Sequence, residues 1–323
     1  MDELSEHPPV PAAMSGMRTA APGVAVLLAL ALVPLAVRDR YFLSVFTLAN
    51  LYAAIAASWD LLSGYTGREN FGHALFIGTG AYTAALLNTR LHLSPALGIA
   101  AGGVVVVAFA ILVGVPTLRL RGPYFALATL AVAGIMERLT LLLWPLTGGE
   151  DGVYGVQPLS LSAPTTYYAT LAFMAVVVVG LYWATRSKWG MVLRAIRANE
   201  MACEASGLNT TVYKMGALLL SALPAGLAGG LYAHVQEHVG PSVYSAALSV
   251  TVIIMAVIGG IGTIYGAAAG GFLLTALGEV LRGFGSYRLL LFSAILLPVI
   301  LYWPGGVIVQ LVGWLRERER WRC

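Results

Sequence analysis

The chain has 323 residues, of which 59% are hydrophobic and only 11% are charged. Soluble domains carry about 25% charged residues, so this composition excludes a soluble globular protein and indicates one that lies in a lipid bilayer. The net charge of +4 arises from basic residues that gather on one side of the predicted membrane spans, a pattern that does not indicate nucleic-acid binding.

The N-terminal segment, residues 1–19, carries Asp2, Glu3 and Glu6 and several prolines. Such a composition predicts a disordered tail. The apolar run that follows Arg18 resembles the core of a signal peptide, but no small-x-small cleavage site ends it. We therefore predict that this run is the first membrane span.

Crossing a bilayer as a helix requires about 20 predominantly apolar residues, and segments of that length recur along the whole chain. The predicted spans are 20–37, 41–62, 71–88, 93–116, 122–143, 165–185, 213–235, 243–260, 264–281 and 287–303. The pattern predicts an all-α integral membrane protein, a polytopic helical bundle of about ten transmembrane helices. Residues 20–313 then form one transmembrane domain, and residues 314–323 form a basic tail.

The distribution of basic residues predicts the orientation of the chain, because short cytoplasmic loops collect Lys and Arg. If the basic tail lies in the cytoplasm and the spans alternate, most of the 19 Lys and Arg residues also lie there. The exceptions are Arg38, Arg40, Arg90, Arg282 and Arg288 outside, and Arg138 within a span. Both termini are therefore predicted to be cytoplasmic.

Two glycine-rich segments, 64–72 and 259–271, interrupt the apolar pattern. A broken helix inside a membrane is tolerated where it lines a cavity or is buried in protein, and its free backbone groups suit an amino acid's carboxylate and ammonium. The pathway candidates in them are Tyr65, Thr66, Gly67, Gly72, Gly259, Gly260 and Gly262. The alternative role of these glycines is close helix packing. If the first segment is re-entrant, the count of spans falls to eight.

Polar side chains within the spans are further pathway candidates. The hydroxyls of Tyr124 and Thr129 and the imidazole of His73 could face a substrate, or they could be packing residues. The histidines are too scattered to predict a metal site. We also find no catalytic constellation and predict no cofactor.

The longest predicted cytoplasmic loop, residues 186–212, separates the sixth and seventh spans. Helical spacing places Arg194, Arg197, Glu200 and Glu204 on one side of it. The apolar side is expected to contain Val192, Leu193, Ile196, Met201, Ala202 and Ala205. Gly207 is expected to end the helix, and Asn209 or Thr210 to cap the next one. Periodicity alone does not separate a helix that lies on the lipid headgroups from one that docks to a partner.

The source of energy is constrained by what the chain lacks. It contains no G-x-x-x-x-G-K-S/T motif, so no P-loop holds ATP phosphates. An ion-driven carrier usually buries ionisable residues in the membrane, and few are present here, with Glu137 beside Arg138 and Glu279 near Arg282. This scarcity favours a protein that is powered by a separate subunit.

Five sequence blocks together resemble one family. They are SGYTG with FGHALFIGTGAYTAALL (63–87), RGPYFALATLAVAGIMERL (121–139), LTGGEDGVYGV (146–156), AIRANEMACEASGLNTTVYKMGALLLSALPAGLAGGLYAH (195–234) and VIGGIGTIYGAAAGGFLL (257–274). In this order they resemble the LivM-type permease subunits of branched-chain amino-acid ABC importers. The resemblance extends over about residues 45–306. It departs from the family's pattern at Arg68, Glu69 and Asn70, where polar uncharged residues usually follow GYTG.

This resemblance implies a role for the 186–212 loop, which we call the coupling loop. Glu204, Ala205 and Gly207 stand where the family's E-A-x-G signature falls and would dock on a cytoplasmic ATPase. Arg194, Arg197 and Glu200 would be neighbouring contacts.

The resemblance also implies partners and a location. The chain would form half of a translocation pathway for branched-chain or other hydrophobic amino acids in the bacterial inner membrane. It would act with a second, related permease subunit, two ATP-binding subunits and an extracytoplasmic substrate-binding protein. Importers of urea and short amides use similar membrane subunits and are one alternative. An ion-gradient-driven secondary transporter is an alternative from another class, and a membrane-embedded enzyme is a third.

Overall fold

The computed structural model describes residues 20–36, 39–120 and 122–281, together with Ala294, Gly306 and Gln310. The chain divides into two compact units, Met1–Arg38 and Asp39–Cys323. The helices are α1 (Ala20–Ala36), α2 (Arg40–Thr66), α3 (Ala74–Leu91), α4 (Pro95–Thr117), α5 (Pro123–Leu142), α6 (Trp144–Thr147), α7 (Ala163–Arg186), α8 (Lys188–Ala198), α9 (Glu200–Ala205), α10 (Thr210–Gln236), α11 (Ala246–Gly259) and α12 (Ile264–Val280). Two short strands, β1 (Val153–Tyr154) and β2 (His238–Val239), pair antiparallel with Val153 opposite Val239.

The helices agree with the apolar segments of the sequence. Each predicted span from 20–37 to 264–281 coincides with one helix of 14 to 27 residues, while the predicted span 287–303 lies outside the described residues except for Ala294. Five helices in the described part are long and apolar enough to cross a membrane, namely α2, α4, α5, α7 and α10. The pair α11 and α12 meets the same criterion together, which allows up to six such spans. The helical membrane architecture is therefore confirmed, whereas the count of ten stays a prediction.

Two of these helices form the centre of the second unit. In their most apolar windows, α2 is 72% buried and α10 is 61% buried, compared with 33% for α4, 22% for α5 and 28% for α7. Small residues make this close packing possible. A methyl group on Gly80 of α3 would overlap the carbonyl of Gly226 on α10, and one on Gly229 would overlap the carbonyl of Ile77. The helices α3 and α10 therefore meet backbone to backbone.

Hydrogen bonds group the helix ends of the second unit into two sets. At one end, which we call the Arg68 end, Arg68 in the α2–α3 connection contacts both Leu120 after α4 and Glu200 of α9. At the other, the Asn88 end, Asn88 of α3 bonds Gln157, whose carbonyl accepts from His234 near the end of α10. Consecutive long helices from α2 to α10 thus run in alternating directions, as a chain that crosses a membrane repeatedly requires.

The two glycine-rich segments have different structures. The α2 helix is continuous for 27 residues to Thr66, so the segment 64–72 includes its end and the connection to α3. In contrast, 259–271 contains a sharp break, with α11 and α12 bent by 118°. Gly260 and Gly262 adopt φ values of 115° and 80° there, a backbone conformation that glycine reaches without steric cost.

Candidate functional site

The loop 186–212 folds as two short helices, α8 and α9, that join α7 to α10. Side chains cap each start, since Ser187 accepts from Gly190 N and Asn199 accepts from Ala202 N at 3.0 Å. Gly207, with a φ of 84°, follows the end of α9 as the sequence predicts. Of the two candidates for capping α10, Asn209 is the one whose side chain accepts from Val212 N, at 3.3 Å. Side-chain caps from Ser187, Asn199 and Asn209 thus fix where α8, α9 and α10 begin.

Glu200, the first residue of α9, connects three parts of the chain. Its Oε2 lies 2.6 Å from Arg68 Nη2 in the α2–α3 connection, and its Oε1 pairs with Lys214 Nζ at the start of α10. The side chains of Arg68 and Lys214 are only 7% and 3% exposed. Because unpaired buried charges are costly, Glu200 is the anionic partner that offsets the cost of burying these two cations.

The charge state of Glu200 follows from these contacts. Burial by itself raises the pKa of the Glu200 carboxyl, but the hydrogen bond from Lys214 and the positive charge of Arg68 outweigh it, so the pKa lies below its usual range. A carboxylate with a depressed pKa contributes stability above its unfolded-state pKa and loses that contribution as pH falls through the folded-state pKa. Both ion pairs therefore persist at neutral pH.

The two arginines of α8 also bond within the protein. Arg194 Nη1 donates to the carbonyl of Thr185 at 3.1 Å, and Arg197 Nη1 donates to the carbonyl of Gly64 on α2. Thr210 donates to Glu204 Oε1 at 2.9 Å. Of the predicted coupling residues, Glu200, Arg194 and Arg197 thus hold the loop onto the bundle. Glu204, Ala205 and Gly207 remain exposed at the Arg68 end.

The predicted apolar side of this loop is correct for α8 and wrong for α9. Leu193 and Ile196 are buried, but Met201 is 66% exposed and Ala202 and Ala205 are exposed as well. The reason is the extended residue Asn199, with φ −159°, which ends the α8 periodicity and restarts it in a new register. In α9, Cys203 is the buried residue. Its neighbours therefore present a small, partly apolar surface, which we call the α9 surface: Met201, Ala202, Ala205 and Gly207.

The pathway candidates before α3 are largely buried. Tyr65 and Thr66 lie at the end of α2, and Gly67 ends that helix with a φ of 70°. His73 is fully buried, with Nε2 at 3.1 Å from the hydroxyl of Ser58. A packing histidine makes such a contact, and the pathway role of His73 stays a prediction.

The two pathway candidates on α5, Thr129 and Tyr124, differ in their exposure. A methyl group on Gly72 would overlap the carbonyl of Thr129, so the α2–α3 connection and α5 touch through their backbones at this point. Thr129 is buried and its hydroxyl donates to Ala126 O. Tyr124 is 69% exposed on the same helix.

Gly259, Gly260 and Gly262 lie together at the break between α11 and α12. Gly259 packs against the carbonyl of Gly266. The backbone N–H of Gly262 donates to Oδ1 of Asp60 at 2.6 Å. The break is thereby attached to α2.

Sequence reasoning missed the roles of Asp60, Arg68 and Lys214. Asp60 is fully buried within α2, and an ionisable residue inside an apolar helix is itself a signal of function. Arg68 stands out only as a departure from the family's pattern after GYTG. Within the described residues, no group of three His, Cys, Asp or Glu side chains is placed to hold a metal ion.

Comparison with known proteins identifies relatives of the chain. Residues 41–302 match the family described as branched-chain amino acid transport system, permease component. The chain is 28% identical over 299 residues to the high-affinity branched-chain amino acid transport system permease protein LivM of Salmonella typhimurium, covering 84% of this chain and 70% of that protein. LivM of Escherichia coli gives the same values.

A more distant relative is the probable branched-chain amino acid transport permease protein LivH of Methanocaldococcus jannaschii, with 23% identity over 243 residues, 70% of this chain and 75% of that protein. No solved structure matches the chain. Because the family match extends over most of the chain, including both ends of the bundle and the 186–212 loop, the chain belongs to the family of permease components of branched-chain amino acid transport systems.

Proposed function

We propose that this chain is the membrane subunit of an ATP-driven importer of branched-chain or other hydrophobic amino acids and forms half of its translocation pathway. Its family and the names of its relatives support this assignment. The observation that carries it is the structure of the coupling loop, because α8 and α9 lie at one end of a membrane bundle with the α9 surface exposed.

The coupling loop has the properties that a docking element requires. The α9 surface is exposed, so a groove on a cytoplasmic ATPase can bind it. Behind that surface, Glu200 pairs with Arg68 next to α2 and with Lys214 on α10. A displacement of α9 therefore acts at once on the two most buried apolar helices of the bundle. ATP hydrolysis takes place in the partner subunits.

The Arg68 end is the cytoplasmic one in this proposal. Its described connections carry Arg68, Arg119, Arg186 and Lys188, whereas those at the Asn88 end carry Arg40 and Arg90. Short cytoplasmic loops carry the excess of basic residues. With ten spans, both termini are then cytoplasmic, and residues 1–19 and 314–323 are tails that flank a permease domain of residues 20–313. The location is the bacterial inner membrane.

The complete importer contains further subunits. A related permease subunit supplies the other half of the pathway, two ATP-binding subunits bind the coupling loops, and an extracytoplasmic binding protein delivers the amino acid. The support for this assembly is the family membership together with the absence of a P-loop from the chain.

Uptake into vesicles tests the proposal. The chain is reconstituted with its partner subunits and binding protein, and uptake of radiolabelled leucine is measured with and without ATP on the side of the ATPase subunits. We expect uptake only with ATP. Uptake by the chain alone, driven by a proton or sodium gradient and unaffected by the ATPase subunits, would contradict the proposal.

A further inference from the structure

We propose that Asp60 and Arg197 transmit movement of the coupling loop to the break between α11 and α12. The group consists of Asp60 and Gly64 on α2, Arg197 on α8 and Gly262 in the break, and we call it the Asp60–Arg197 link. It rests on the proposed function, since the movement would come from the ATPase subunits. Asp60 and Arg197 are positioning residues in this mechanism, because they act on the backbone at the break.

The link begins where α8 meets the end of α2. The last carbonyl groups of a helix lack donors within the helix, and the Gly64 carbonyl is one of these, because the N–H of Arg68 donates to the Thr66 hydroxyl at 3.3 Å. Arg197 Nη1 supplies a donor to the Gly64 carbonyl. A cation at this position also interacts favourably with the negative end of the helix dipole. Arg197 thus fixes α8 to α2.

One turn earlier on α2, Asp60 fixes the break. Its Oδ1 accepts from the backbone N–H of Gly262 at 2.6 Å, across 202 positions of sequence. A methyl group on Gly64 would overlap both Asp60 Oδ1 and Gly262 N, which shows how closely the three residues meet. A methyl group on Gly262 would lie 3.2 Å from Arg197 Nη1. The α8 helix, the α2 helix and the break therefore come together at one point.

Electrostatics couples these contacts. A buried carboxylate is costly unless a positive charge or hydrogen-bond donors stabilise it, and among the described residues Arg197 is the basic residue whose charge acts on Asp60. The backbone N–H groups of Gly262 and Thr263 both stabilise the Asp60 carboxylate, and its Oδ2 is buried. It offers the Arg197 guanidinium a second acceptor beside the Gly64 carbonyl. When α8 moves, the guanidinium exchanges one acceptor for the other, and the segment that holds Gly262 moves with Asp60.

Charge-neutral substitutions separate this role from docking. Asp60→Asn keeps an oxygen that accepts from Gly262 N–H but removes the charge, and Arg197→Gln removes the guanidinium. Both are measured in the complete reconstituted transporter for assembly, ATP hydrolysis and leucine uptake. We expect uptake per ATP to fall about tenfold in both variants, a size typical of coupling between sites, with assembly and ATP hydrolysis of Asp60→Asn within about twofold of wild type. The matched control is Glu69→Gln, an exposed acid in the α2–α3 connection, which should leave the ratio unchanged.

Hydrogen–deuterium exchange of the assembled transporter tests the link without transport. We expect faster exchange in residues 260–263 of the Arg197→Gln variant than in wild type, and a smaller increase in Arg197→Lys, which keeps the charge. Wild-type exchange in those residues together with wild-type uptake per ATP in both neutral variants would overturn the link. If wild type itself shows no ATP-driven uptake, the proposed function fails, and the exchange experiment still decides whether Arg197 holds the break.

Discussion

The two ends of the bundle are held together by different interactions. At the Arg68 end, Glu200 pairs with Arg68 and Lys214, so connections from three parts of the chain meet through charged side chains. At the Asn88 end, Asn88 donates to the Leu93 carbonyl at 2.8 Å and its Oδ1 accepts from Gln157 N at 2.8 Å. The contrast is between ion pairs of long charged side chains and hydrogen bonds from one short amide to backbone groups.

This difference indicates how each end responds to pH. The pairs of Glu200 with Arg68 and Lys214 depend on the charge of one carboxylate, whereas the hydrogen bonds of Asn88 to backbone groups involve no charge. The end that contains the coupling loop is therefore the pH-dependent one.

The largest effect is expected from Glu200→Gln. The substitution leaves Arg68 and Lys214 buried without an anionic partner, which should lower the free energy of unfolding by about 3 kcal/mol. Thermal unfolding in detergent measures the change. Glu69→Gln, in an exposed position of the same end, is the control and should leave the unfolding temperature unchanged. Equal stability of the Glu200 variant and wild type would mean that the ion pairs do not hold the loop.

Lowering the pH should reduce the stability of the wild-type protein, because it protonates Glu200 and so removes the same ion pairs. The depressed pKa of Glu200 means that its contribution is complete above the usual glutamate pKa of about 4.3 and falls as pH drops through the folded-state value. The stability difference between wild type and Glu200→Gln should therefore be constant from pH 8 to about pH 5 and shrink below it. Unfolding of both proteins across this pH series provides the measurement. A stability difference that grows on acidification would contradict the predicted direction of the pH dependence.

A smaller effect is expected at the Asn88 end. Asn88→Ala removes hydrogen bonds to Leu93 and Gln157 and should lower the free energy of unfolding by about 2 kcal/mol. Because no charge is involved, the loss should be the same at pH 8 and at low pH, unlike that of Glu200→Gln. Uptake per ATP hydrolysed should remain at the wild-type value. A pH-dependent loss would remove the distinction between the two ends.

Gly207→Ala should lower the free energy of unfolding by about 1 kcal/mol. Gly207 has a φ of 84°, and no atom lies within 4 Å of an added methyl group, so backbone strain is the only local penalty. The strain changes the position of the α9 surface, and ATP-driven uptake should fall while membrane insertion remains intact. Insertion is checked by membrane fractionation, and full uptake would count against the coupling role.

The smallest effect on stability is expected from Met201→Ser. Met201 is 66% exposed, so the change in the free energy of unfolding should stay within about 0.5 kcal/mol. Binding of the ATPase subunits should nevertheless weaken, because an apolar contact is removed from the α9 surface. Copurification of these subunits measures the effect. The matched control is Leu161→Ser, which changes an exposed leucine four positions after Gln157.

The sequence predicts the helices well because long apolar segments leave few alternatives in a membrane. It also predicts the end of α9 at Gly207, since capping depends on local residues. It does not predict which face of α9 is buried, because the single extended residue Asn199 resets the register.

Contacts between distant positions were not predictable from one sequence. Glu200 and Arg68 are 132 positions apart, and Asp60 and Gly262 are 202 apart. Neither pair has a local pattern that relates its members. The sharp bend at 259–271 was predicted as a break from its glycines, but its attachment to α2 depends on the packed fold.

Gly80 of α3 and Gly226 of α10 meet without any side chain between them. A methyl group on Gly80 would overlap the Gly226 carbonyl, so neither position can hold a larger residue unless one helix moves away from the other. The spacing of α3 and α10 is therefore set by these two glycines.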